Sequence, residues 1–247
     1  MKIKYADHQK WQKFVPLEDT LANFGTSNRD KLTATLNSLT GKSITSVVRP
    51  VTDDFFDWFI PMYTETIAKK ASPNIFSIRE ILQKRGKNYY SLEVYENNVP
   101  LGATIFTYNK TAVSTVYRCY VNNWGEAKLR ANPALYAEYL LEKLTKEAGY
   151  TRILHGRDRN LYGLHLGIGL AIFKLAIGCR PYLATQHSIF EFDIANHLSD
   201  VLVLAYPDND NDLITKGYLC TKTETLEKWL PVTKYPDLLS VEVVKRS

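Results

Sequence analysis

The chain has 247 residues, of which 45% are hydrophobic and 23% charged, and its formal net charge is +5 at pH 7. These proportions are typical of a globular protein and exclude a disordered or fibrous one. No apolar run reaches the roughly 18 residues that a membrane-spanning helix needs, because Lys174 interrupts the longest candidate. The N-terminal segment has neither an apolar core nor a small-residue cleavage site, so we expect no signal peptide. The odd number and wide spacing of the cysteines favour a reducing cytoplasm as the location of the protein.

The positive charge is concentrated in residues 122–182, which carry nine Lys or Arg and five Asp or Glu. This local excess suits a phosphate-bearing small ligand or RNA, and it is too weak for a dedicated DNA-binding protein. A solvated basic face explains the same charge equally well. The five histidines have no HxH or HxxxH spacing, and the three cysteines are far apart. We therefore predict no metal site and no disulfide framework.

The first third of the chain predicts mainly helices. One helix is expected over 27–39, and a strand rich in β-branched residues begins at Ser43. Thr52 can cap a longer helix that Pro61 should kink or divide. The capping-box pattern Ser77-Ile78-Arg79-Glu80 predicts a further short helix.

Three strand candidates follow in succession, at Tyr89–Tyr95, Val99–Tyr108 and Thr111–Val121. The pairs Asn97-Asn98 and Asn109-Lys110 between them are typical of tight turns. We therefore predict an antiparallel meander of three strands.

A βαβ unit is predicted next. The polar loop 122–131 leads to a helix that Asn132 caps and Gly149 ends, and a strand follows at 151–154. Ligands of such units collect at the carboxyl ends of the strands. We therefore expect the loop and the charged triplet 157–159 to lie at the same edge of the sheet.

The last helix is predicted over Asn160–Ile177 and is apolar apart from Lys174. The Gly-x-Gly of Gly167 and Gly169 falls inside this predicted helix, so we reject a dinucleotide-binding loop. Two strands follow. Beyond Ala195 the pattern blurs, and one more strand pair and a short helix are expected there. We divide the chain into an N-terminal arm (1–26), a main domain (27–195) and a C-terminal extension packed on that domain (196–247).

The order of these elements resembles the GNAT acyltransferase fold, and one motif resembles the FemABX-like branch of that superfamily. The motif is a Gly-Arg after a strand, then a glycine, then Phe-Lys, then a glycine that ends a helix. The matching residues are Gly156, Arg157, Gly163, Phe173, Lys174 and Gly178. The resemblance covers about Ser27 to Ile194. It implies an α/β (α+β) fold with a GNAT-like mixed, mostly antiparallel central sheet and helices on both faces, plus the C-terminal extension.

The resemblance also implies an acyltransferase or aminoacyltransferase, which moves an acyl or aminoacyl group to an amine. In GNAT acetyltransferases a tyrosine four residues before the helix-ending glycine protonates the leaving thiolate, and this chain has Lys174 there. A cation at that position would stabilise negative charge on the donor's carbonyl or leaving oxygen, or hold a phosphate. The alternative is a lysine that extends its ammonium from an apolar helix face into solvent.

The chain departs from the acetyltransferase pattern in the pyrophosphate-binding loop. That loop has a Gly-x-Gly or Gly-x-Ala before a helix, whose backbone N–H groups bind phosphate. Here the loop has the single glycine Gly125, so standard acetyl-CoA binding is in doubt. FemABX-like enzymes also lack that loop, and several use aminoacyl-tRNA. We expect Lys128 and Arg130 to meet a phosphate of tRNA or of a nucleotide carrier, and a plain solvated loop stays equally open.

The remaining donor-binding candidates follow the strand at 151–154. Arg157 and Arg159 can make bidentate contacts with phosphate or carboxylate, although a structural Arg–Asp cluster is the alternative. Asn160 resembles the GNAT asparagine that contacts the donor, and a helix cap explains it as well. We expect no tightly bound cofactor, and an acyl-CoA, an acyl-carrier protein or an aminoacyl-tRNA as the donor substrate.

The catalytic candidates are Lys174, His155 and Tyr162. His155 can act as a base because the reference pKa of histidine is near 6.5, although a structural role is open, and Tyr162 is chosen on position alone. Arg118 and Tyr120 alternate on one face of a strand near its carboxyl end. We expect these two to line the pocket of a small-molecule amine acceptor, with sheet surface or core as the alternative.

Two other functions stay open at this point. One is a non-catalytic GNAT-like module that binds RNA or a nucleotide-linked ligand. The other is a scaffold subunit that forms a homodimer through the C-terminal extension. The sequence leaves the donor, the acceptor and the choice between tRNA and a carrier protein as partner undetermined.

Overall fold

The computed structural model shows a mixed α/β fold and describes residues 1–16, 18–69, 75–194, 197–208 and 211–246. Its strands are β1 (Lys2–Ala6), β2 (His8–Phe14), β3 (Ile44–Pro50), β4 (Tyr90–Glu96), β5 (Val99–Tyr108), β6 (Val113–Tyr120), β7 (Arg152–Arg159), β8 (Arg180–Leu183), β9 (Ile189–Asp193), β10 (Val201–Leu204), β11 (Lys216–Lys222) and β12 (Ser240–Arg246). Its helices are α1 (Thr26–Asn37), α2 (Asp53–Ala68), α3 (Ile78–Arg85), α4 (Pro133–Glu147), α5 (Ile168–Ala176) and α6 (Leu226–Trp229). Most strand pairings are antiparallel, as predicted.

The chain forms two compact units, residues 15–154 and residues 1–14 with 155–247. These bounds differ from the division into 1–26, 27–195 and 196–247 that the sequence suggested. The reason is that residues 2–14 form β1 and β2, which pair antiparallel with β9 and β8. The first 14 residues of the segment interpreted as an arm therefore contribute strands to two sheets, and the strands β8 and β9 that pair with them lie late in the chain.

The predicted meander of β4, β5 and β6 is confirmed in the unit of residues 15–154. Asn97 and Asn98, between β4 and β5, have φ angles of 51° and 64°. A two-residue turn with positive φ at both positions matches the right-handed twist of the flanking strands. β3 pairs antiparallel with β4, and β6 pairs in parallel with the start of β7 through Val113 and Ile153.

Helices cover opposite faces of the sheet in this unit, as predicted. Cys119 on β6 packs in a core with the aromatic residues of α2, whereas its neighbour Tyr120 packs with Tyr136 of α4. Successive residues of a strand point to opposite faces, so α2 and α4 lie on opposite sides. The face that carries Arg118 and Tyr120 is therefore covered by α4. The expectation that Arg118 and Tyr120 line an acceptor pocket stays a prediction.

Pro61 does not divide α2, which runs through it without interruption. A proline inside a helix costs about 3 kcal/mol because it removes one hydrogen bond and crowds the preceding turn. Phe55 and Phe59, before the proline, and Tyr63, after it, are nevertheless all buried in one core. Burying such side chains stabilises the helix by about 1.5–3 kcal/mol each, which outweighs the proline.

The C-terminal residues form a three-stranded sheet of β10, β11 and β12 in the unit that contains both termini. The strand pair of β10 and β11 was predicted, and the helix near 223–229 is present as a 3-10 turn followed by α6. The third strand, β12, was not predicted, and it pairs in parallel with β11.

Asp200 holds this C-terminal region together. Its carboxylate accepts hydrogen bonds from Trp229 Nε1 (2.9 Å), Thr225 Oγ1 (3.0 Å) and Thr221 Oγ1 (2.9 Å), and it pairs with Arg246 at 3.4 Å. Burial alone would raise the pKa of Asp200, but these hydrogen bonds outweigh it and hold the pKa below its usual range.

The depressed pKa of Asp200 makes stability sensitive to acid. A carboxyl whose pKa is lower in the folded state contributes stability above its unfolded pKa, near 3.9, and loses it as the pH falls through the folded pKa. We expect Asp200→Asn to unfold more readily at pH 7 and to show a flatter loss of stability below about pH 4. Urea unfolding at several pH values measures this, and parallel pH profiles for both proteins would contradict it.

The segment between β7 and α5 was predicted as the first part of a helix, but it does not form one. Asn160 to Gly167 form an irregular turn, and α5 begins at Ile168. Leu161 and Gly163 have φ angles of 62° and 106°, which an α-helix does not allow. The Gly-x-Gly therefore lies at the start of α5, with Gly167 before its first residue, and not inside a longer helix.

Gly163→Ala is expected to destabilise the protein by about 2 kcal/mol or more, because the backbone there permits only glycine. A Cβ atom on Gly163 would meet the backbone oxygen of Asp200 at 2.1 Å, in addition to the strain of φ +106°. Gly149→Ala is the matched control, since Gly149 has φ +78° but open space around it. We expect the control to lose about 1 kcal/mol from the positive φ alone. Denaturant unfolding of both variants measures the difference, and equal losses would contradict this account.

Candidate functional site

The charged triplet Arg157-Asp158-Arg159 is part of β7 rather than a loop after it. Alternation along a strand sends Asp158 to one side and both arginines to the other. Arg157 and Arg159 are exposed, whereas the Asp158 side chain retains only 12% of its surface. The carboxylate of the triplet is therefore mostly buried, whereas its two guanidinium groups face solvent.

Asp158 and Lys174 form a buried ion pair. Lys174 Nζ lies 2.7 Å from Asp158 Oδ2 and donates a longer hydrogen bond, 3.3 Å, to the backbone oxygen of His155. It also lies 5.5 Å from the ring centre of Trp11, within the range of a cation–π contact. The Lys174 side chain is only 8% exposed. The alternative in which its ammonium extends into solvent is therefore wrong.

Tyr162 is the second partner of Asp158. Its hydroxyl donates to Asp158 Oδ2 at 2.7 Å and accepts from Gln9 Nε2 (2.6 Å) and Trp11 Nε1 (2.8 Å). Burial and the negative charge of Asp158 raise the pKa of Tyr162 well above its usual value, against the opposing donation from Trp11 and Gln9. The phenol thus keeps its proton, and its ring is fully buried. This geometry orients Asp158, and Asp158 in turn orients Lys174.

His155 and Asn160 flank this cluster within the same unit. His155 is 8% exposed, and its backbone oxygen accepts a hydrogen bond from Lys174. Asn160 is 1% exposed, and its amide bonds the backbone of Ala6 and of Leu204. The prediction that Asn160 caps a helix is wrong, because α5 begins at Ile168 and the Asn160 side chain bonds three backbone segments instead. Its contact with a donor stays a prediction.

The two exposed arginines have few internal partners. Arg157 donates to the backbone oxygen of Gln186 at 2.8 Å, and Arg159 has neither a hydrogen bond nor an ion pair within the described ranges. Arg159 is also close enough to His165 to lower the pKa of that histidine, although burial is the larger cause. An anion such as a phosphate can therefore approach both guanidinium groups.

Arg118 and Tyr120 lie side by side in the unit of residues 15–154. The Arg118 guanidinium donates to Glu138 Oε2 and to the backbone oxygen of Ala134, both at 3.1 Å. Tyr120 is 7% exposed, its hydroxyl bonds Thr104 Oγ1 and the Leu92 backbone oxygen, and burial raises its pKa. The structure thus places Arg118 in an ion pair with α4 and Tyr120 mainly in the core.

A pocket of about 650 Å³ nevertheless opens beside Tyr120. It lies between α2 and the end of β6, and its lining residues are Pro61, Met62, Glu65, Thr66, Lys69, Tyr120, Val121 and Asn122. Glu65 and Lys69 form an exposed pair at 2.6 Å, and this lysine lowers the pKa of Glu65. The pocket therefore offers one carboxylate and one ammonium to a small polar ligand.

The loop 122–131 contains an anion site that the protein fills itself. The carboxylate of Glu96 accepts hydrogen bonds from the backbone N–H groups of Gly125 (2.6 Å), Glu126 (3.1 Å) and Ala127 (2.5 Å). Successive N–H groups that converge on one point form an anion-binding nest. A Cβ atom on Gly125 would lie 2.7 Å from Glu96 Oε2, so glycine permits this close approach.

Lys128 and Arg130, the predicted phosphate-binding residues of this loop, are both exposed. Lys128 has a φ angle of 48°, which places it at the bend of the loop. Neither residue has an internal hydrogen bond or ion pair within the part of the chain that the structure describes. The backbone N–H groups beside them already bind the Glu96 carboxylate. The role of Lys128 and Arg130 as phosphate ligands stays a prediction.

Sequence reasoning missed four residues that build these clusters. Asp158 was noted only as a neighbour of arginines, and Gln9, Trp11 and Glu96 were not considered. The local sequence gives no signal for Glu96, whose loop partners lie about 30 residues away. Trp11 lies in β2, within the segment that was predicted as an N-terminal arm.

Within the described residues, no group of His, Cys, Asp and Glu side chains has the geometry to hold a metal ion. Likewise, none of the helices in those ranges is both long and apolar enough to cross a bilayer.

Solved structures provide the comparison with known proteins. FemX matches with a TM-score of 0.52 and 12% identity, over 74% of this chain and 61% of that one. L-PGS from Bacillus licheniformis matches with a TM-score of 0.45 and 17% identity, over 63% and 46%. A tandem GNAT protein from the clavulanic acid biosynthesis pathway matches with a TM-score of 0.39 and 15% identity, over 77% and 53%.

The chain thus spans about half to three fifths of the length of these structures. No family model matches the sequence, and no curated protein matches it either. At 12% identity the likeness to FemX shows the fold alone, and it agrees with the predicted GNAT-like fold.

Proposed function

We propose that this protein is an N-acyltransferase of FemABX-like type, which transfers an acyl or aminoacyl group from an activated donor to an amine. One observation carries the proposal. The lysine of the Phe-Lys motif, Lys174, is held in a fixed position by Asp158 before any substrate binds. A cation fixed in this way stabilises a developing oxyanion without reorganising during the reaction.

The reaction needs such a cation at one step. The nitrogen of a neutral amine attacks the carbonyl carbon of an ester or thioester, and the carbonyl oxygen becomes negative. When the intermediate collapses, the new C–N bond remains, the bond from carbon to the carrier's oxygen or sulfur breaks, and the amine proton passes to that leaving atom. Lys174 has three N–H donors, of which two bond Asp158 and the His155 backbone. The third can donate to the oxyanion.

Tyr162 and Asp158 act in this proposal as positioning residues. Tyr162 is fully buried and does not reach a substrate, but its hydroxyl fixes the Asp158 carboxylate. His155 contributes its backbone oxygen to the same geometry. These contacts hold the ammonium in one orientation, which is the part of catalysis that positioning alone can supply.

Two features support a donor other than an acyl-CoA bound through the loop 122–131. The N–H groups of Gly125, Glu126 and Ala127 already bind Glu96, so a pyrophosphate cannot use them. Arg157 and Arg159 are exposed and suit the phosphates of a donor such as an aminoacyl-tRNA.

Native mass spectrometry and a transfer assay test the proposal together. The protein is mixed separately with acetyl-CoA, longer acyl-CoAs and a pool of aminoacyl-tRNA, each with a mixture of amines. We expect complex formation with the tRNA pool, weakened about tenfold or more by Arg157→Ala with Arg159→Ala and unchanged by the exposed control Arg85→Ala. We expect aminoacyl loss to need Lys174. A CoA complex with turnover would instead make it a thioester acyltransferase.

A non-catalytic GNAT-like module that binds RNA or a nucleotide-linked ligand is the second candidate. It is favoured by the same ion pair, because an ammonium that is 8% exposed and bound to Asp158 resembles a structural lysine. Salt-dependent RNA binding without aminoacyl loss would select this module over the enzyme.

A further inference from the structure

A second pocket, of about 430 Å³, lies at the other end of the meander from Tyr120. It is formed by the end of β5 with the turn that follows, and by the start of β4 with the segment that precedes it. Its lining residues are Lys87, Asn88, Tyr90, Thr107, Tyr108, Asn109 and Lys110. The volume is within the range of small-molecule sites, which begins at about 300 Å³. Nothing in the proposed transfer reaction uses these residues.

The pocket is cationic without acidic compensation. Lys87 and Lys110 are exposed, and neither has an ion pair within the described segments of the chain. No Asp or Glu lines the pocket. Arg152 adds a third positive charge beside the same turn, where it donates to Thr111 Oγ1 at 2.8 Å. The local charge therefore favours an anionic group such as a phosphate.

Tyrosine rings supply the apolar part of the lining. The half-buried rings of Tyr90 and Tyr108 lie 5.2 Å apart at a steep angle. Each ring also stacks on a neighbouring aromatic ring, Tyr90 on Phe106 and Tyr108 on Tyr150. Rings fixed in this way present a rigid surface on which a planar base stacks at little entropic cost.

Polar groups complete the pocket. Thr107 Oγ1 donates to the backbone oxygen of Asn88 at 2.9 Å, which joins the two segments that form the pocket. The Asn88 side chain is exposed and has no hydrogen bond to the described residues, so its amide can bond a ligand. Lysine ammonium groups, an amide and aromatic rings are the groups that bind phosphate and base together.

We propose that this pocket binds a nucleoside monophosphate, with its phosphate between Lys87 and Lys110 and its base against Tyr90 or Tyr108. The site is separate from Lys174 and Tyr120 along the chain, and it does not depend on the transfer reaction. Binding there requires neither a donor nor an amine acceptor.

Isothermal titration calorimetry with AMP and CMP tests this site, with adenosine alone and inorganic phosphate alone as reference ligands. We expect AMP or CMP to bind at least about tenfold more tightly than either reference, because only the nucleotide engages both parts of the pocket. Lys87→Ala with Lys110→Ala should weaken nucleotide binding at least tenfold. Lys31→Ala with Lys143→Ala, which removes two exposed helix lysines, is the matched control and should leave binding unchanged.

The tyrosine lining has its own pair of variants. Tyr108→Leu removes the ring and should weaken AMP binding about tenfold, whereas Tyr108→Phe keeps the ring and should bind as the parent protein does. Thermal unfolding of each variant verifies that it is folded. No AMP or CMP binding by the parent protein at millimolar concentration, or equal affinity in the lysine double variant and its control, would overturn the proposal.

Discussion

Replacing Lys174 with methionine is expected to lower the free energy of unfolding by about 3 kcal/mol or more and to abolish transfer. Removal of one partner from a buried ion pair leaves the other as an uncompensated buried charge, which costs about 3–5 kcal/mol. Here the remaining charge is Asp158, whose side chain is 12% exposed and, among the described residues, keeps only the hydroxyl of Tyr162 as a side-chain hydrogen-bond donor. Urea unfolding of the parent protein and the variant measures the loss.

A second variant separates stability from chemistry. Asp158→Asn combined with Lys174→Met removes both charges and keeps the side-chain volumes, so most of the lost stability should return. Transfer should not return, because no cation faces the oxyanion. If the double variant regains transfer, Lys174 has only a structural role. If the single variant loses less than about 1 kcal/mol, the ammonium is solvated rather than buried.

Glu96→Ala is expected to lower the free energy of unfolding by about 2–3 kcal/mol, because three backbone donors lose their acceptor at once. The carboxylate is 6% exposed and bonds the N–H groups of Gly125, Glu126 and Ala127. Glu96→Gln keeps one acceptor oxygen and should lose about half as much. Glu126→Ala is the matched control in the same loop, since the Glu126 side chain is exposed and accepts a hydrogen bond from Asn97 Nδ2 at 3.2 Å.

The vacated nest should also accept an anion from solution. We expect sulfate or pyrophosphate to raise the melting temperature of Glu96→Ala more than that of the parent protein or of Glu126→Ala, since a ligand of the folded state stabilises it in proportion to its occupancy. Sodium chloride at equal ionic strength controls for screening. The same rise in all three proteins would mean that the loop does not form an anion site.

Turns and helix ends were predictable where neighbouring residues in the sequence determine them. Asn97-Asn98 gave the turn between β4 and β5, and Asn132 caps α4 with a hydrogen bond from its side chain to the Leu135 N–H. The start of α5 was not predictable in the same way. Residues 160–167 are apolar enough to continue the helix, but Asn160 is fixed by backbone groups of Ala6 and Leu204 that no local pattern reveals.

The candidate site was predictable only in part, for a related reason. Lys174 stands out because a charge in an apolar helix needs an explanation, and the structure supplies one in Asp158. The identity of that partner depends on the turn that reverses the chain between β7 and α5. Strand β2 was missed because Gln9 and Lys13 are buried polar residues that hide its alternation.

The pairing of β2 with β8 has a consequence for the order of events on the ribosome. Trp11 is synthesised 170 residues before its pairing partner Pro181. The residues that pair β3, β4, β5 and β6 with one another and with the start of β7 have all left the exit tunnel once residue 154 has emerged. Residues 15–154 can therefore fold before the partners of β1 and β2 have been synthesised. Contacts between residues so distant in sequence form slowly, so Gln9 and Trp11 reach Tyr162 late and Lys174 acquires its rigid setting last.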